Sequence, residues 1–145
     1  MAIRHASAGE VVDLYPLGPG LIRARTSAIT KSELFEAVRL VVRAGMEIKS
    51  HAVAGPITLH CLEGRAVLGL PNSEIELSTG QWVFLEGGEP HSVRGIEDSS
   101  LLLTIIFHSG SEMRWSRLVR QFGGLAKVDR VGFYAANCSV ISAVA

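Results

Sequence analysis

The chain has 145 residues, 48% hydrophobic and 19% charged, which suits one compact domain with a substantial core and excludes a disordered chain or two full domains. Fourteen basic residues offset fourteen acidic ones, so no global field favours nucleic acid or an anionic membrane. No apolar run of about 18 residues offers a membrane span, and the first ten residues lack the apolar core of a secretory signal.

In chain order, residues 1–20 read as an irregular arm, because Pro16, Gly18, Pro19 and Gly20 interrupt any long element. Such an arm can lie across a sheet or a partner subunit. Residues 21–26 alternate loosely and predict a short edge strand. The run 34–43 is rich in β-branched residues and ends at Ala44-Gly45, which predicts a strand; Leu34, Val38, Val41 and Val42 also fit helical spacing. Beyond Gly45 the pattern becomes that of hairpins. Residues 56–62 and 64–70 predict two strands, Pro71-Asn72-Ser73 a turn, and Glu74-Ile75-Glu76-Leu77 a half-buried strand. Gly80 precedes an aromatic strand over 81–85, and Gly87-Gly88 makes a corner before Pro90-His91. Residues 101–107 are apolar at nearly every position, as in a strand covered on both faces.

The glycine and histidine spacing of this central stretch resembles the two-part signature of the cupin superfamily, small β-barrels of jelly-roll type. Gly45, His51 and Gly64 match the first motif, and Gly80, Gly88 and His91 match the second. Val53 stands where the family places a second histidine, Ile57 where it places a carboxylate, and Glu86 where a proline is usual. The resemblance covers about residues 35–107. It is closest to small bacterial single-barrel cupins with a similar His-x-x-x-Gly-Pro-Ile-Thr segment. It implies an all-β jelly-roll barrel over about 21–108, within a single domain of 1–145.

The same resemblance places His51 and His91 in the barrel mouth, either contacting a ligand or forming a satisfied polar pair. Iron, manganese, nickel or zinc sites usually need three or more protein ligands, so two histidines beside valine and isoleucine predict little or no resident metal. A divalent ion would need a third donor. His60 is one candidate, although strand alternation sends it to the opposite face from Ile57 unless a bulge intervenes. Cys61 shares the face of Ile57 and Leu59 and is expected to be a small buried hydrophobe, with a thiolate donor as the alternative. Trp82 and Phe84 share a strand face and are expected in the core, with pocket lining as the alternative. Glu86 and Glu89 read as rim charges, and His5 and His108 as solvent-facing.

Two cysteines, Cys61 and Cys138, form neither a metal-spaced pair nor a disulfide framework, so a reducing cytoplasm is the expected compartment. Ser109 to Glu112 has capping-box spacing, and Trp115, Leu118, Val119 and Phe122 follow at helical intervals, predicting one C-terminal amphipathic helix and a tail over 109–145. Its other face carries Arg114, Arg117 and Arg120, too few to predict nucleic-acid or membrane binding. A strand over 128–134 is a further expectation. Exposed sheet edges and the arm predict a homodimer. The leading functional expectation is a non-catalytic protein, a sensor or accessory, with a small-molecule ligand in the barrel. The alternative is a metal-dependent oxygenase or isomerase using His51 and His91 with His60 or Cys61.

Overall fold

The structure is a computed structural model and describes residues 4–107. The expected C-terminal helix and tail, the strand over 128–134, His108 and Cys138 lie outside the described residues. Among the described residues, nine strands pair antiparallel in two sheets. They are β1 (Ser27–Lys31), β2 (Phe35–Val42), β3 (Glu47–His51), β4 (Ile57–Glu63), β5 (Arg65–Leu70), β6 (Ser73–Ser78), β7 (Trp82–Leu85), β8 (His91–Gly95) and β9 (Ser99–Ile106). One sheet runs β1-β2-β9-β4-β7 and the other β3-β8-β5-β6. Neighbours in each sheet are mostly distant in sequence, as in a jelly roll.

Strand register turns the apolar pattern into layers. In the five-stranded sheet Val38, Leu103, Leu59 and Val83 stand side by side, with Ile105, Ile57 and Leu85 above them and Leu40, Leu101 and Cys61 below. Across the sandwich, Ile48, Val93, Leu68 and Ile75 form one row through all four strands. These rows face each other and make the core. The Cys61 end is sealed by Val42, Ala66, Leu77 and Leu101, all buried. Toward the other end, Ile48, Val53, Leu70, Ile75 and Ile105 remain only partly buried.

The 34–43 run forms β2, and Glu74 to Leu77 alternates exposed and buried as expected. Residues 21–26 are not a strand. They fall in a 3-10 helix, Gly18–Arg23, and the short segment after it; the positive φ of Gly18 and the fixed φ of Pro19 in its first turn favour a tight turn over an extended chain. The edge strand follows at β1. The strand β9 is fully buried only over Ser99 to Leu101; its later outward residues are half-exposed or exposed.

The N-terminal arm lies across its own sheet. Ala6 exchanges hydrogen bonds with β1 through the Ile29 carbonyl and the Thr30 hydroxyl. Arg39, on the outward face of β2, donates to the Asp13 and Tyr15 carbonyls. At the end of β4, a bulge between Cys61 and Glu63 turns Glu63 outward. Its carboxylate accepts from the Leu17 and Gly18 amides at 2.7 and 3.0 Å and from the Ser100 hydroxyl at 3.1 Å. These charge-assisted bonds hold the arm down.

Candidate functional site

His51 ends β3 and His91 begins β8, and the two are register partners. The irregularity between Ile48 and His51 is what makes them so. In a regular ladder from the Ile48–Val93 pair, Ser50 would stand opposite His91 and His51 would face away; one extra residue on β3 restores His51 to the inner face. The imidazole centroids lie 4.6 Å apart with planes inclined by 56°. His91 is 4% exposed, whereas His51 sits at the rim.

Both rings are oriented in the same way. His51 Nδ1 lies 2.9 Å from the Lys49 carbonyl oxygen, and His91 Nδ1 lies 2.9 Å from the Glu89 carbonyl oxygen. Carbonyl oxygens only accept, so each Nδ1 donates and each neutral ring has its lone pair on Nε2. The loops carrying the two strands are themselves clasped. The Gly88 amide donates to the Val53 carbonyl at 2.7 Å, and a Cβ at Gly87 would collide with the Ala54 carbonyl. A glycine there is required by the close approach, which fixes where both histidine strands meet.

Val53 and Ile57 supply apolar surface at this end and no donor atom. Cys61 is 0% exposed and faces inward, but it lies four residues along β4 from Ile57, about 13 Å at strand spacing. Its Sγ contacts the Glu63 and Gly64 carbonyls at the sealed end. Burial pushes the thiol pKa up, opposed by the Glu63 backbone contact and reinforced by the Glu63 and Glu97 carboxylates. The group is therefore a protonated core residue and lies away from the histidines. His60 pairs laterally with Trp82 and Leu102, on the face opposite Ile57, Leu59 and Cys61. It does not join the pair.

Trp82 and Phe84 require a correction. They are 59% and 43% exposed on the outer face of the five-stranded sheet, neither in the core nor lining the barrel. Val83 and Leu85 face inward instead, because the register of β7 on β4 pairs them with the inward Leu59 and Ile57 and pairs Trp82 and Phe84 with the outward His60 and Thr58. His5 and Glu86 are exposed, and Glu89 is partly buried beside His91.

Sequence reasoning passed over Glu36, which shares the inner row of Ile105 and Ile57 and pairs with Lys31 at 3.4 Å. Only the phase of β2, invisible until β9 was paired with it, identifies that carboxylate as inward. Among the described residues, no group of three or more His, Cys, Asp or Glu side chains is gathered to hold a metal ion. The described residues of the mouth thus do not by themselves supply the three protein ligands such an ion usually takes. A separate groove of about 490 Å3 beside the 3-10 helix is lined by Arg23, Arg25 and Arg43 among others and contains no acid, histidine or thiol. The Arg43 guanidinium is already committed to the carbonyls of Leu21, Ile22 and Ala24. No helix among the described residues is long and apolar enough to cross a membrane.

No protein-family model matches the chain, and no curated protein matches it. Solved structures do. A conserved protein of unknown function from Streptococcus pyogenes is 17% identical over 76% of this chain and 97% of its own, with a TM-score of 0.60. A cupin superfamily protein from Desulfitobacterium hafniense is 16% identical over 57% of this chain and 76% of its own, with a TM-score of 0.55. An RmlC-like cupin from Desulfovibrio desulfuricans is 26% identical over 56% and 79%, with a TM-score of 0.52.

Proposed function

The described residues have the fold of the cupin superfamily, and from that premise we propose that the protein binds a small, partly apolar molecule at the barrel mouth as a sensor or accessory protein, without catalysis. The observation that carries this reading is the His51–His91 pair, two oriented imidazoles above an apolar row with Val53 and Ile57 beside them. Apolar side chains with a few polar groups among them are the lining typical of small-molecule sites. Fold alone would not choose, since one fold hosts many functions. The test is a small-molecule screen read by NMR shifts, with specific shifts at His51 and His91 expected.

A metal-dependent oxygenase or isomerase is the second reading. Its support is the Nδ1–carbonyl bond of each histidine, which orients Nε2 as it is oriented in many metal ligands. Against it stand His60 on the opposite face and Cys61 at the opposite end.

We also propose that two copies pair through the outer face of the five-stranded sheet. Phe35, Thr58, His60, Trp82, Phe84, Thr104 and Ile106 share that face, whose charges among the described residues are Arg39 and Glu63, both bonded to the arm. The outer face of the other sheet is a charged lattice of Arg65, Arg94, Glu74 and Glu76. A two-fold axis would bring the same uncharged aromatic surface to each partner, with no unpaired charge to desolvate.

A further inference from the structure

We infer that the ligand of the histidine pair engages it through two adjacent hydrogen-bond donors, as in a vicinal dihydroxy or similar two-donor edge on a compact apolar body. The inference rests on the small-molecule reading of this site and specifies its chemistry. Each Nδ1 is occupied by a carbonyl that can only accept, so in the neutral pair both Nε2 atoms are acceptors. With centroids 4.6 Å apart, both rings lie within reach of one small ligand. They cannot satisfy each other.

Neither Nε2 has a hydrogen bond to the described residues; His51 is an exposed residue, and His91 Nε2 is not among the sealed atoms that lack a partner. The one buried side-chain nitrogen or oxygen without a partner among the described residues is Arg65 Nε. A ligand that engages both neutral rings through Nε2 therefore donates to each of them. A carboxylate, phosphate or ether offers acceptors to two acceptors and is disfavoured. Around the pair the walls are mostly apolar: Ile48 and Val93 lie in the next inward row, with Leu68 and Ile75 beyond, and Val53 stands on the adjoining loop, while the inward Glu36 carboxylate of the facing sheet is paired with Lys31. Such walls favour a compact apolar body behind the donor edge and penalise further polar groups. Shape is left to the apolar rows; the histidines read donor count.

The experiment uses the full chain at pH 8 with a chelator present, so that no catechol–metal complex contributes. Catechol, its monomethyl ether and 1,2-dimethoxybenzene are titrated into 15N-labelled protein. Catechol is expected to bind tightest, with affinity falling about ten-fold for each methylation, the scale of one lost hydrogen bond. Shifts should centre on His51, His91, Ile48 and Val93. His51→Phe, at the rim where folding is least at risk, should reduce the difference between catechol and the dimethyl ether to less than about three-fold; His91→Phe should do the same where it folds.

Long-range 1H–15N spectra of the free protein supply an independent readout, with Nδ1–H tautomers expected for both rings. Equal binding of all three probes, or an Nε2–H tautomer at either ring, overturns the two-donor inference while leaving the small-molecule reading intact. No mouth shifts with any probe would overturn both.

Discussion

His51 stands opposite His91 only because β3 holds one more residue than β8 between this pair and the Ile48–Val93 pair. The irregularity places an imidazole where unbroken alternation would place the Ser50 hydroxyl. Deleting Ser50 should convert the bulge into a regular ladder with the two rings still adjacent. Nuclear Overhauser contacts between the imidazole protons check this; their loss in a folded deletion variant would show that the bulge is needed for more than register.

Glu63 ties the arm to the barrel through two amides and the Ser100 hydroxyl. Replacing it with alanine should cost about 1–3 kcal/mol, the scale for removing a charged acceptor from partly buried donors. The arm should also become susceptible to proteolysis ahead of the barrel. Urea unfolding and limited digestion measure the two effects.

Much of the barrel was legible in the sequence, because strand alternation and turn glycines act locally. The run that forms β2 and the Glu74 to Leu77 alternation are of this kind. Other features depend on pairing partners that the sequence does not display. Trp82 and Phe84 looked like core by residue type, yet the pairing of β7 with β4 puts them outside and Val83 and Leu85 inside. The inward phase of Glu36 is set by β9, more than 60 residues away along the chain. The histidines could be named from motif spacing, but their shared orientation depends on carbonyls two residues upstream of each.

The outward aromatic face leads to a prediction about assembly. Dynamic and static light scattering at micromolar concentration should give a dimer mass, and Trp82→Glu with Phe84→Lys should give a folded monomer. Substituting Leu59 by alanine should instead cost about 2–5 kcal/mol, as expected for a residue in the buried core. A monomeric wild-type chain would overturn the pairing proposal.

Cys61 supplies a pH prediction. Its thiol pKa is raised in the folded protein, chiefly by burial, so the folded state holds this proton in a range where the unfolded chain releases it. The stabilising contribution is complete below the ordinary thiol pKa and is lost as pH rises through the raised folded value. Urea midpoints of the wild type should therefore fall more steeply on the alkaline side than those of Cys61→Ala. Parallel slopes would count against a buried protonated thiol.

Elemental analysis of full-length protein purified without added metal tests the central claim most directly. Among the described residues, two imidazoles flanked by Val53 and Ile57 offer a divalent ion fewer protein donors than a retained site usually has. The account predicts less than about one metal ion per several chains, unchanged in His51→Ala and His91→Ala. Stoichiometric iron, manganese, nickel or zinc, lost in either variant, would contradict it and put the metal-dependent enzyme first.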